Sequence, residues 1–270
     1  MPYLTVGKQR LEYEWIGPGP AESPTLVFLH EGLGCLGMWK DFPPQLAAHT
    51  GCGAFIYSRS GYGDSTPLAR PRTSRYLHDE ALTVLPAVLQ AMDISQPILI
   101  GHSDGASLAL IYAGSDTSAA RGLILEAPHV FVEDVTLDGI RRAGETYRST
   151  DLAQKLARFH GDQTNAVFWG WYDTWLSPEF RDWNIAEYLP QIKCPVMIIQ
   201  GEGDEYGTKK QVDAITSQIA GPVEVVMLSD CGHTPHRDQR EQTTWAAVPF
   251  IKRVVSAAMK AAGGAGASGA

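Results

Sequence analysis

Positive charge is in short supply in this chain. Its 22 Lys and Arg are outnumbered by 30 Asp and Glu, a formal net charge of −8. No stretch gathers Lys or Arg into a cluster, so nucleic acid is not an expected partner. Long apolar runs are missing as well. None approaches the roughly 20 residues that span a bilayer, and the opening Met1-Pro2-Tyr3-Leu4-Thr5-Val6 lacks the basic and apolar regions of a signal peptide. The expectation is a cytoplasmic protein with no membrane partner. Cysteine is scarce: Cys35, Cys52, Cys194 and Cys231 show no Cys-x-x-Cys spacing, which fits reduced, packed thiols. Cys231 stands near His233 and His236, yet three loosely spaced ligands without a fourth make a poor zinc site. Neither a metal nor an organic cofactor is expected. Internal repeats are also absent.

What is present reads as a globular protein: 270 residues, 44% apolar and 19% charged. A chain of this length can bury roughly three quarters of its unfolded surface. Short apolar runs alternate with helical stretches. Tyr3 to Val6 and Leu11 to Ile16 flank Gly7-Lys8 as an edge hairpin. Thr25 to His30 is a near-continuous apolar run, as in a strand covered on both faces, and Gly53 to Tyr57, Ile98 to Ile100, Gly122 to Pro128, Val196 to Gln200 and Val223 to Leu228 read as further strands. Between them, Trp39 to Ala48, Leu77 to Met92, Lys210 to Ile219 and Gln239 to Ala262 carry helical spacing, with Pro43, Pro44, Pro86 and Pro249 as irregularities. The pattern predicts an α/β fold with a mostly parallel central sheet flanked by helices. Residues 1–128 and 191–262 would form this core, and the small residues 263–270 a flexible tail.

Residues 129–190 break the alternation. They contain no core strand, but Phe168, Trp169, Trp171, Tyr172, Trp175, Phe180 and Trp183 fall close together. Such a concentration must be buried or bind something. The expectation is a helical cap in which most rings pack and two or three, Trp171 and Trp175 among them, line an apolar pocket bordered by His129.

The segment around which the chain is organised is Pro97 to Leu108. Its period changes from strand to helix across Gly101-His102-Ser103-Asp104-Gly105. A serine at such a turn sits in strained backbone, and small neighbours let strand and helix approach closely enough to expose its Oγ above the sheet edge. Ser103, Asp204 and His233 each follow a strand at the edge where ligands collect in parallel sheets. A serine hydroxyl needs a base within reach, and an imidazole in turn needs a carboxylate to fix its tautomer. Glu202 and Glu205 compete with Asp204 for the acid. His30, His102, His129 and His236 are alternatives to His233; His30 and His102 read as structural, His236 as a loop residue. Arg59 and the Asp104 side chain read as structural or pocket-rim groups.

With His30-Glu31-Gly32-Leu33-Gly34, Gly61-Tyr62-Gly63-Asp64-Ser65, the Gly101 to Gly105 turn, Gly201-x-x-Asp204 and Gly232-His233 in view, the chain resembles the α/β-hydrolase superfamily, in its serine-nucleophile branch. The resemblance implies a triad of Ser103, Asp204 and His233, and an oxyanion hole built from the backbone N–H groups of Gly32 and Asp104. Many members carry glycine where this chain has Glu31. The implied function is hydrolysis of a small hydrophobic or aromatic carboxylic ester through an acyl-enzyme. A lactone, a carbon–carbon substrate, or a receptor-like member that binds a small molecule with little turnover are the alternatives. Either a monomer or a homodimer would be compatible with these features.

Overall fold

The computed structural model describes residues 1–68 and 71–265. Eight strands form one sheet: β1 (Tyr3–Val6), β2 (Gln9–Ile16), β3 (Thr25–Leu29), β4 (Gly53–Tyr57), β5 (Ile98–His102), β6 (Gly122–Glu126), β7 (Val196–Gly201) and β8 (Val223–Leu228). Their spatial order is β1-β2-β4-β3-β5-β6-β7-β8. The β1–β2 and β2–β4 pairings are antiparallel and all others parallel. From β3 the chain steps outward to β4 and then returns to the other side of β3 as β5. A crevice opens at such a reversal, at the carboxyl ends of the strands.

Every residue of β3, β4, β5, β6 and β7 is buried, because helices cover both faces. Val27, Phe55, Leu99, Leu123 and Ile198 point to one side. Phe28, Ile56, Ile100, Ile124 and Ile199 point to the other, toward α1 (Phe42–Thr50) and the last helix. The remaining helices are α2 (Tyr76–Asp79), α3 (Leu85–Ala91), α4 (Asp104–Ala113), α5 (Asp134–Ser149), α6 (Leu152–His160), α7 (Thr164–Leu176), α8 (Lys209–Gln218), α9 (Pro235–Asp238) and α10 (Arg240–Ala265).

The prolines account for most departures from the expected helices. Pro43 and Pro44 occupy the first turn of α1, where a missing N–H costs nothing, so the helix begins at Phe42 rather than Trp39. Leu36–Trp39 forms a 3-10 turn instead. The stretch expected as one helix over Leu77 to Met92 widens into a π turn at Glu80–Val84, and Pro86 falls in the first turn of α3 beyond it. Helix α10 continues to Ala265, into the first residues of the expected tail; residues 266–270 of that tail lie outside the described residues.

Between β6 and β7 stand α5, α6 and α7 with short 3-10 turns. The insertion is pinned at its base by an isolated bridge between Phe131 and Asn184 and by the Ile185 N–H donating to the Val130 carbonyl at 2.8 Å. Among the described residues no helix is long and apolar enough to cross a membrane.

Candidate active site

Ser103 stands between β5 and α4 with φ 52° and ψ −113°, a backbone conformation that a non-glycine residue keeps only where its surroundings enforce it. Here they do. A Cβ on Gly101 would lie 2.3 Å from the Gly105 carbonyl oxygen, and one on Gly105 only 1.8 Å from that of Leu29. Strand, turn and helix therefore touch backbone to backbone, and the turn can close no other way. The Ser103 N–H donates to the Glu126 carbonyl at 2.9 Å, tying the turn to β6.

The other two strand-end residues converge on it. Ser103 Oγ lies 2.9 Å from His233 Nε2, and His233 Nδ1 lies 2.8 and 2.9 Å from the two oxygens of Asp204. With Nδ1 protonated toward the carboxylate, Nε2 is free to accept the serine proton. Asp204 also accepts from the Tyr206 and Gly207 N–H groups and from Gln200 Nε2, at 2.8, 3.2 and 2.7 Å. Burial would raise its pKa, but the adjoining His233, with His129 and the Tyr206 N–H after it, holds it well below the usual carboxylate range. Glu202 and Glu205 make no such contact with His233.

The competing histidines have other partners. His30 Nδ1–H donates to the Glu31 carbonyl at 2.8 Å, and its Nε2 accepts from the Arg59 N–H at 3.1 Å. His102 Nε2–H donates to the His233 carbonyl at 2.7 Å, while its Nδ1 stands 3.5 Å from Glu31 Oε2. Burial would lower the His102 pKa, but Glu31 and Glu126 raise it overall. The Glu31 carboxyl is held below its ordinary range against its own burial, chiefly by His102. His236 is not a loop residue: it lies in α9, buried, with Nδ1 2.8 Å from Glu126 Oε2. That pair anchors the segment just beyond His233. His129 Nε2–H donates to the Tyr206 carbonyl at 3.2 Å, and the Ser107 hydroxyl donates to the His129 carbonyl at 2.6 Å. Burial, then His233, push the His129 pKa down, which keeps it neutral.

A cavity of about 260 Å³ opens over Ser103 and His233. Gly32, His129, Trp171 and Trp175, all singled out from the sequence, line it. Ile140, Ala143, Leu152 and Leu156 of the insertion complete an apolar wall. Of the seven clustered aromatics only Trp171 and Trp175 reach this cavity; Phe168 and Phe180 are wholly buried in packing. A Cβ on Gly32 would come within 2.4 Å of Trp171 Cδ1, so the indole rests against the turn after β3 and requires glycine there. Neither the Gly32 N–H nor the Asp104 N–H donates to a group among the described residues. The latter is the first amide of α4, where the helix offers it no acceptor.

Sequence reasoning missed several supporting side chains. Gln200, a polar residue in an otherwise apolar strand, was a readable signal; Tyr206, whose ring packs 4.7 Å from that of His233, carried none. Arg59 is not at the pocket rim, since it is 1% exposed beneath the site. Asp104 is likewise buried, its Oδ2 accepting from the Tyr76 hydroxyl at 2.7 Å.

Comparison with known proteins bears on the fold and family. Mouse serine hydrolase BPHL is 27% identical over 228 residues, covering 81% of this chain and 75% of that protein. The Caenorhabditis elegans alpha/beta hydrolase domain-containing protein aho-3 is 25% identical over 228 residues; the match covers 84% of this chain but only 57% of that relative's length. Among solved structures, the enol-lactonase from Burkholderia xenovorans LB400 superposes with a TM-score of 0.72 at 20% identity, covering 93% of this chain and 98% of that one, a likeness of fold. The model of the alpha/beta hydrolase family matches residues 26–246, and with that span and this fold the chain belongs to the alpha/beta hydrolase family.

Proposed function

We propose that this hydrolase cleaves a small carboxylic ester with a hydrophobic or aromatic acyl or alcohol part, through an acyl-enzyme on Ser103. The observation that carries the reading is the Ser103–His233–Asp204 chain of hydrogen bonds at the floor of a small, apolar-walled cavity. His233 takes the Ser103 proton as Oγ attacks the carbonyl carbon, then delivers it to the departing alkoxide. In the second half it takes a proton from water, which attacks the acyl carbon and returns Ser103 to its hydroxyl form. The N–H groups of Gly32 and Asp104 receive the negative charge of each tetrahedral intermediate. The Asp204 carboxylate keeps His233 in the tautomer this requires and steadies its cation.

The size and character of the cavity support the substrate class. At about 260 Å³ it lies near the lower end of small-molecule sites. Its wall of Leu, Ile and Trp side chains favours apolar groups, and residues 129–190 act as the cap that supplies them. The same machinery would open a lactone, and the name of the Burkholderia relative in the structural comparison keeps that substrate in the test. Four free cysteines, three of them buried, suit a reducing compartment such as the cytoplasm.

The test is hydrolysis of p-nitrophenyl esters from acetate to octanoate, beside a small aromatic ester and an enol-lactone, by the protein and its Ser103→Ala variant. Ser103-dependent turnover that is fastest on short or aromatic esters is the expected result. Equal rates for the two proteins on every substrate would overturn the proposal, and a long-lived ligand adduct without turnover would mark a binding role instead.

A further inference from the structure

Arg59 is among the largest fully buried side chains, and no step above uses it. A guanidinium keeps its charge at any physiological pH, and removing it from water is costly unless it is well paired. Its partners therefore indicate what holds it there. Nη2 lies 3.7 Å from Asp104 Oδ2 and donates to the carbonyls of His30 and Glu31 at 3.2 and 3.0 Å. The guanidinium carbon sits 4.7 Å above the Tyr62 ring. The Glu31 carbonyl also accepts from His30 Nδ1–H at 2.8 Å and from the Gly34 N–H at 3.1 Å, so it receives three hydrogen bonds, of which only the one from Arg59 comes from a distant part of the chain.

Two of these partners belong to the residues that supply the oxyanion donors. The Glu31 carbonyl and the Gly32 N–H are the two ends of one planar trans peptide, and they point in opposite directions. Asp104 is the residue whose own N–H is the second donor. We infer that Arg59 is a positioning residue for the oxyanion site: through the Glu31 carbonyl it sets the plane of the Glu31–Gly32 peptide, and through the Asp104 carboxylate it anchors the start of α4. One guanidinium thereby ties both donors together, and the inference rests on the hydrolase reading above.

Two physical effects act in the same direction. Hydrogen bonds accepted by a peptide carbonyl polarise the unit and make its N–H a stronger donor. In addition, a lone carboxylate on Asp104 would oppose negative charge developing beside that residue's own amide, and Arg59 cancels it. Glu31 can stand in the position where many relatives have glycine because the donor is a backbone group whose orientation is fixed from behind. Its side chain turns aside toward His102.

The experiment compares the full-length protein with Arg59→Lys, Arg59→Met and the double variant Arg59→Met/Asp104→Asn, which leaves no lone buried charge should the single changes prevent folding. Thermal unfolding, kcat and KM on a p-nitrophenyl ester, and the Ki of an alkyl boronic acid are measured on each. The boronic acid forms a bond from Ser103 Oγ to boron, the serine proton passes to His233, and the resulting tetrahedral anion puts a hydroxyl where the oxyanion would lie. Folded variants are expected to lose about 10- to 100-fold in kcat with KM within about threefold of the parent, less than or equal to the cost of deleting one donor. The boronate Ki should rise in parallel. A lowered melting temperature with unchanged kcat and boronate Ki in the double variant would make Arg59 a stability residue only and overturn the inference. A parent protein with no Ser103-dependent turnover would instead remove the hydrolase reading itself.

Discussion

The sheet edge and the insertion above it are held by different forces. At the edge, each reactive side chain is fixed by directional bonds: Asp204 has five hydrogen-bond contacts between 2.7 and 3.2 Å, and the turn at Ser103 is closed by backbone contact that only glycine allows. In the insertion the rings pack against one another. Tyr147 stacks on Phe168 with centroids 3.8 Å apart, and Phe180 on Trp183 at 5.3 Å. Ring packing is broad in angle and distance, whereas a hydrogen bond weakens steeply once misaligned. Bonds of the first kind fix positions closely, while packing of the second kind tolerates change. A few polar contacts join them: Trp175 Nε1–H donates to the Tyr76 hydroxyl at 3.0 Å, which donates to Asp104, and His160 accepts from the Gly63 N–H at 3.0 Å.

That contrast can be broken most sharply at the edge. Ser103→Ala should reduce ester turnover by on the order of 10³-fold or more, with the melting temperature nearly unchanged, since the hydroxyl is lost and little packing with it. Asp204→Asn should cost on the order of 10²- to 10⁴-fold in kcat, because the amide no longer enforces the Nδ1–H tautomer of His233. A pH–rate profile together with circular dichroism would show whether the chemistry failed while the fold survived.

Changes in the insertion should act on choice more than on rate. Trp171→Ala opens the wall beside Gly32, and Trp175→Phe keeps the ring but drops its bond to Tyr76. For Trp171→Ala the ratio of kcat/KM between octanoate and acetate esters should move roughly 10-fold toward the longer chain, in line with the 1–3 kcal/mol discrimination of apolar pockets. Trp175→Phe should shift that ratio by only a fewfold. An unchanged ratio in both would remove the insertion from substrate selection.

The smallest expected effect concerns pH. His129 has its pKa lowered in the folded state, so it contributes stability that is present above the ordinary histidine value and is lost as pH falls from there toward the folded value. His129→Gln should therefore flatten the fall in melting temperature between about pH 6.5 and 5. His102 works in the opposite sense and in a higher window: its raised pKa adds stability as the pH falls toward the ordinary histidine value, and that stability is lost as the pH rises above it. A variant as steep as the parent would show that other groups set the slope.

Much of this architecture was legible before any coordinates. The apolar runs marked β3 to β7 because strands covered on both faces must be apolar throughout; β8 read as a strand too, but Glu224, Val225 and Met227 leave it half exposed. The Gly-x-Ser-x-Gly turn marked Ser103 because that geometry admits only small neighbours. Asp204 and His233 were legible as residues following strands. The roles of the prolines were less so. Whether Pro86 breaks a helix depends on a π turn upstream that no local pattern announces.

Taken by itself, then, the amino-acid order determined the sheet, its crossover connections and the three residues at its carboxyl edge, since each follows from periodicity and short-range sterics. Tertiary structure alone decided what lies between elements distant in sequence. It placed Trp171 against Gly32, Glu126 beneath His236, and Arg59 behind the Glu31 carbonyl. Those contacts join residues 28 to 139 positions apart, and their energies depend on distances that exist only once the sheet has assembled.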